Sequence, residues 1–192
     1  MPEKSLSAEA LTALYTQLRE DYWQRWGQDL PFTELAFDRW ERARRLGFGE
    51  GAVLYQSACL YGEVKVGRHT WIGPQTILDG RGGIVIGDWC SISAGVHIYT
   101  HDSVRWALSG GRAEYGYAPV RIGDCSYVGP QTVITRGVSV GDHSVIGALS
   151  LVKEDVPPYS VAVGAPCRVV GRVEIEGDRV NLVYEAGEGE LA

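Results

Sequence analysis

The sequence predicts an all-β solenoid. Three observations carry this: an aliphatic residue at every sixth position, a companion row of small or β-branched residues two places earlier, and a surplus of glycine. From Leu54 the series reads Leu54, Leu60, Val66, Ile72, Leu78, and after two extra residues it resumes as Ile86, Ile92, Ile98. After a longer interruption it continues as Ile122, Val128, Ile134, Val140, Ile146, Val152. All 14 positions are Leu, Ile or Val, residue types that fill roughly a quarter or less of an average chain.

The companion row includes Thr70, Thr76, Cys90, Val96, Ser126, Thr132, Ser144 and Ser150, and Gly67, Gly73, Gly87, Gly123, Gly129, Gly141 and Gly147 each follow an aliphatic position. A chain that turns sharply after each short strand needs glycine there, which accounts for much of the total of 25. A period of six suits neither a helix nor a hairpin meander. It suits short parallel strands separated by turns, with the aliphatic column facing inward and each coil satisfying the backbone of the next. Three hexads then close one coil.

The flanks read differently. Residues 1–48 form a helical cap: Leu11, Leu14, Tyr15, Leu18 and Tyr22 keep helical spacing behind a cap at Ser5 or Ser7. A second helical segment begins at Pro31 and stops at Gly47 and Gly49. Trp26, Phe37, Trp40 and Leu46 are expected to cover the open first coil, and Arg42, Arg44 and Arg45 to form a solvated face. The solenoid occupies 49–172. Residues 173–192 form a hairpin turning at Gly177-Asp178 and a frayed acidic tail.

Composition narrows the function classes. A net charge of −6 gives no support to nucleic acid as a partner. No apolar run approaches the roughly 20 residues of a membrane span. Met1-Pro2-Glu3-Lys4 does not begin a signal peptide, so a cytoplasmic protein is expected. The four widely spaced cysteines, Cys59, Cys90, Cys125 and Cys167, form no CxxC pair and are expected to be buried and free.

The interruption at 101–119 is where function is expected. Continuing the series in phase would place Val104, Gly110 and Gly116 inward, and two glycines cannot supply a core column. The segment is therefore an extruded loop, and loops on rigid scaffolds carry function. It contains Arg105, Trp106, Tyr115 and Tyr117, and His101 and Asp102 stand where it departs. Acyl transfer from a thioester to an alcohol or amine needs a base with a near-neutral pKa, and histidine supplies one. His69 and His143 fall inside regular turns and His97 lies out of the inward register, which leaves His101 as the catalytic candidate. Asp102, Arg105, Tyr115 and Tyr117 would wall an acceptor pocket. Trp106 would join them or anchor one subunit on another.

The hexads, with "IYTHD", the loop and then "APVRIGDCSYVGPQTVI", resemble the hexapeptide-repeat acyltransferases, and among them the galactoside- and maltose-type sugar O-acetyltransferases. The resemblance covers roughly residues 52–172 and implies a left-handed parallel β-helix, a homotrimer with active sites between subunits, and acetyl-coenzyme A as donor without a metal. It places the family's histidine on His101 and an acceptor-site aromatic on Trp71. The asparagine often found two residues beyond is Gly73 here, and Asp79 is a further acceptor ligand or a turn-former. "SVIGALSLVKEDVPPYSVAVGAPCRVVGR" resembles the family's coenzyme segment, putting Gly129, Ala148, Lys153, Arg168 and Arg172 at the coenzyme site. The three cations there would meet phosphates or be solvated. The expectation is O-acetylation of a small-molecule sugar. N-acetylation of an amino sugar, a carbonic anhydrase solenoid of the γ class with three histidines on zinc, and a non-enzymatic scaffold are the alternatives.

Overall fold

The computed structural model describes residues 7–184. The acidic tail expected at 185–192 and the alternative cap Ser5 lie outside the described residues.

The six-residue row becomes the inner column of a three-faced parallel solenoid. On the first face, strands Val53–Leu54, Trp71–Ile72, Ser91–Ile92, Tyr127–Val128, Val145–Ile146 and Ser160–Val163 stack in parallel order. The second face stacks Leu60, Leu78, Ile98, Ile134 and Val152, and the third stacks Val66, Ile86, Ile122 and Val140, with a bridge to Val156. Thirteen of the 14 positions are buried, and Leu60, at the edge coil, packs partly buried against them. The ladder also runs past its regular part through Val156 and Ala162, after the spacing shortens between Val152 and Val156.

Register dates the interruptions. Val53 pairs with Trp71, Trp71 with Ser91, and Ser91 with Tyr127. The steps are 18, 20 and 36 residues, so one coil carries two extra residues and the next carries eighteen. Both excesses leave the same corner, between the second and third faces, one directly above the other.

The glycines after the inward positions serve a different purpose from the one expected. None of them has positive φ; the left-handed residues sit two places further on, at His69, Gln75, Trp89, Cys125, Gln131, His143 and Leu149. Glycine is needed because the next coil comes too close. A Cβ on Gly129 would lie 2.5 Å from the Ala148 nitrogen, and one on Gly87 would lie 2.1 Å from Asp124 Oδ1. The companion row is buried, and its hydroxyls donate to corner carbonyls, as from Thr70 Oγ1 to Gly87 O (2.7 Å) and Thr132 Oγ1 to Gly147 O (3.0 Å).

Three helices precede the first coil: α1 (Ala8–Trp26), α2 (Phe32–Ala36) and α3 (Arg39–Arg45). Ser7 caps α1 through the Ala10 N–H. The second helical segment is split, because Phe37 is extended and Asp38 starts a new helix by accepting from Trp40 and Glu41 N–H. The covering residues also differ from those expected. Trp26, Phe37, Trp40 and Leu46 are exposed, and Leu35, Ala43 and Phe48 are the buried ones. Arg42 is no bystander: it donates to the carbonyls of Tyr55 and Ala58, with 2.8 Å to the latter. Two of the cysteines, Cys59 and Cys125, are exposed, and only Cys90 and Cys167 are buried; all four are free. The described residues end on an antiparallel hairpin, Arg168–Glu176 with Arg179–Tyr184, added to the first face. No helix among the described residues is long and apolar enough to cross a membrane.

Candidate active site

Eighteen residues leave the corner after Thr100 and return at Ala118, whose N–H donates to the Thr100 carbonyl at 3.0 Å. The excursion is a small hairpin. His101–Asp102 pairs antiparallel with Gly116–Tyr117, and helix α4 (Val104–Leu108) forms its tip. None of its residues joins the inner column.

Beneath it lies the two-residue insertion, in a continuous strand, Ile77–Ile86, that does not turn at Asp79-Gly80. This insertion brings Asp79 under the histidine. Asp79 is 4% exposed, and its Oδ2 lies 2.9 Å from His101 Nδ1. The Nδ1–H direction falls off that line, so the contact is a close charge–ring approach that a small ring rotation would turn into a hydrogen bond. The other carboxylate oxygen, Oδ1, accepts from Arg81 N–H at 3.4 Å. On the far side of the ring, Arg81 Nη1 lies 3.4 Å from His101 Nε2. A guanidinium can only donate, so this contact is a hydrogen bond in the tautomer that carries its proton on Nδ1 and its lone pair on Nε2.

Tyr115 and Tyr117 stack on the imidazole, with ring centroids 6.1 and 6.0 Å away and planes about 27° and 26° from parallel. His101 thus keeps only 17% of its side chain exposed. Next to it lies a cleft of about 430 Å³ lined by Asp102, Arg105, Tyr115, Tyr117 and Arg136, among others. Asp102 pairs with Arg136 and also accepts from Val104 N–H; these two contacts, the first the stronger, hold its carboxyl below the ordinary range.

The structure thus gathers His101, Asp79, Asp102, Arg105, Tyr115 and Tyr117 at one corner. Asp79 sits behind the base, not on an open acceptor surface. Trp106 meets Tyr115 edge-on at 5.6 Å but does not line the cleft. Trp71 is elsewhere: on the first face, it packs edge-on against Tyr55 at 5.3 Å.

Of the coenzyme residues, Gly129 and Ala148 stack on adjacent coils. The two arginines do not converge. Arg168 lies 3.6 Å from Glu154, Arg172 pairs with Glu174 at 2.7 Å, and the two arginines pair with opposite ends of Ser160–Val163. Sequence reasoning missed Arg81 and Arg136. The available signal for Arg81 was its place inside the insertion "DGRGG"; Arg136 gave none.

Two hexapeptide patterns match the chain. Residues 63–100 match the hexapeptide repeat of succinyl-transferase, and residues 119–154 match the six-repeat bacterial transferase hexapeptide. Both stretches carry hexapeptide repeats. The chain is 40% identical over 91 residues to the galactoside O-acetyltransferase of Escherichia coli, a match covering 47% of this chain and 44% of that one. Matches to Staphylococcus aureus putative acetyltransferases are 45% identical over 58 residues or fewer, so the matched segments span less than half the length of these curated relatives. Among solved structures, a hexapeptide-repeat acetyltransferase from Vibrio cholerae complexed with acetyl-coenzyme A superposes with a TM-score of 0.64 at 26% identity, covering 90% of this chain and 92% of that one. A galactoside acetyltransferase in complex with coenzyme A gives 0.62 at 26% identity, covering 90% and 85%. An N-acyltransferase variant from Bacillus cereus, complexed with dTDP and coenzyme A, gives 0.60 at 26% identity, covering 65% and 72%. The chain thus resembles both a galactoside O-acetyltransferase and an N-acyltransferase. Among the described residues, no three His, Cys, Asp or Glu side chains gather as a metal site.

Proposed function

We propose that this hexapeptide-repeat protein is an acetyl-coenzyme A-dependent O-acetyltransferase acting on a sugar or sugar-containing acceptor, with His101 as general base. The observation that carries the reading is the His101–Asp79 pair at the root of the excursion, where the two tyrosines stacked on the imidazole also line the cleft. Nε2 takes the proton of an acceptor hydroxyl as its oxygen attacks the thioester carbonyl. The tetrahedral intermediate then expels coenzyme A thiolate, which recovers the proton from the imidazolium. The Asp79 carboxylate beside Nδ1 stabilises that imidazolium while it exists. Backbone N–H groups at solenoid corners are the available donors for the oxyanion.

Acetyl-coenzyme A and coenzyme A in the similar solved structures support the donor assignment. Gly129 and Ala148, where the backbone is bare of bulky side chains, are placed at the donor site, with Lys153, Arg168 and Arg172 at its rim. Asp102, Arg105, Tyr115 and Tyr117 are assigned to the acceptor, with Trp106 packed behind Tyr115; Trp71 would reach it only from a neighbouring subunit. A homotrimer with sites between subunits is part of this reading; it would let Trp71, which lies on the first face, meet the His101 of a neighbouring subunit. The test is release of coenzyme A thiol from acetyl-coenzyme A across a panel of sugars and nucleotide-sugars, with product analysis for ester against amide. Amide formation on amino sugars alone would replace O-acetylation, and no thiol release with any acceptor would sink the reading.

A further inference from the structure

Arg81 stands where the acceptor has to come. The proposed reaction puts the acceptor hydroxyl at His101 Nε2, and that nitrogen is faced by Arg81 Nη1 at 3.4 Å. The guanidinium is loosely kept. Its Nε is 3.8 Å from Asp79 Oδ1, its carbon sits 5.3 Å from the Tyr61 ring centre, and 48% of the side chain is exposed. Gly80 precedes it and Gly82 and Gly83 follow, so no neighbouring side chain in the insertion blocks a swing. The charged and titratable groups around it are Asp79, His101, Tyr61, Tyr115, Tyr117 and the Asp102–Arg136 pair, already closed on itself.

A neutral hydroxyl can take Nε2 only by displacing the guanidinium, and it gives the guanidinium little in return. An acceptor that also carries a phosphate or carboxylate offers a planar fork its best partner, in two-point contact, while freeing the base. Resting on the acetyl-transfer reading, we propose that Arg81 is a specificity-determining residue: it masks the lone pair of His101 and yields it to acceptors bearing an anionic group. Discrimination then comes from a penalty on neutral acceptors as well as attraction of charged ones.

The test is carbethoxylation of the full-length protein by diethyl pyrocarbonate, which acylates imidazole nitrogens with a free lone pair, followed peptide by peptide at His101. Arg81→Gln should label on the order of fivefold faster than wild type, the factor an ordinary hydrogen bond imposes, with Arg81→Lys between them. Inorganic phosphate, as the anion probe, should raise the wild-type rate toward that of Arg81→Gln and leave the variant's rate unchanged. Circular dichroism melts confirm that the variants, changed at an exposed side chain, remain folded. Equal labelling of wild type and Arg81→Gln, or a wild-type rate that ignores phosphate, would overturn the proposal. Labelling is read without donor or acceptor, so its failure speaks against Arg81 alone, whereas turnover retained in His101→Gln speaks against the base alone.

Discussion

His101 is set by two neighbours of opposite charge, one on each ring nitrogen, and neither adjoins it in the chain. Asp79 faces Nδ1 at 2.9 Å and Arg81 faces Nε2 at 3.4 Å. His101→Gln should lower acetyl transfer on the order of a hundredfold or more, with the melting temperature unchanged because the residue lies outside the inner column. Asp79→Asn keeps the side-chain volume but removes the charge behind the ring. It should reduce kcat and leave the KM for acetyl-coenzyme A unchanged; a change confined to KM would mark Asp79 as a ligand instead. The inner column sets the opposite case. Ile134 is fully buried, and Ile134→Asp should unfold the protein, since an unpaired carboxylate has no partner there, while Thr135→Asp on the adjacent outward position should be tolerated. Circular dichroism of the two variants decides the register.

At the scale of elements, the solenoid corners are tied by side chains reaching back to the previous coil. Asp88 Oδ1 accepts from Arg68 N–H, Asp124 Oδ1 from Asp88 N–H and Asp142 Oδ1 from Asp124 N–H, at 2.6, 2.7 and 2.9 Å. The Arg68 side chain first, and then the Arg68 N–H, hold the Asp88 carboxyl below its ordinary value. A depressed carboxyl binds fewer protons in the folded state than in the unfolded one. Its stabilisation is therefore present above the unfolded pKa of about 3.9 and lost as pH falls through the lower folded value. Melts recorded on descending pH should show a shallower acid loss in Asp88→Asn than in wild type. The excursion obeys a separate logic. Its ends meet at Thr100 and Ala118, so replacing residues 104–117 by a short Gly-Ser bridge should spare the solenoid. Acceptor turnover should vanish, because Tyr115 and Tyr117 leave with it, while coenzyme A binding by calorimetry changes little. Normal turnover in the deletion would show the excursion to be dispensable.

The whole molecule is a stack that must be closed at its ends. At the first coil, buried Glu34 accepts from Gln56 N–H, Ser57 N–H and Ser57 Oγ at 2.8, 2.8 and 2.6 Å, serving donors that have no coil beneath them. Glu34→Ala strands those donors, at a cost of about 2–3 kcal/mol. A melting temperature lower by roughly 5–10 °C is expected for a chain of this size. At the other end the antiparallel hairpin ends the parallel stacking of the first face. The proposed trimer predicts a sedimenting mass three times the 21.0 kDa of one chain, and a monomer would remove the between-subunit site.

The sequence by itself determined the solenoid, its inward register and the place where it breaks. A coil contacts only its neighbours, so the requirement for an aliphatic residue repeats with the coil and is written in the chain as a period. Leu54 through Val152 could be read for that reason, and so could His101, which stands at the break. What the tertiary structure decided has no period. Asp79 and Arg81 reach His101 because two extra residues in one coil lie under eighteen in the next, and spacing along the chain does not announce that superposition. The same holds for Arg136, which meets Asp102 across a coil, and for Arg168 and Arg172, four residues apart in sequence yet paired separately with Glu154 and Glu174. The glycines mark the boundary between the two kinds of information. Their positions were legible, but their cause, the close approach of the next coil's backbone, exists only once the coils are stacked.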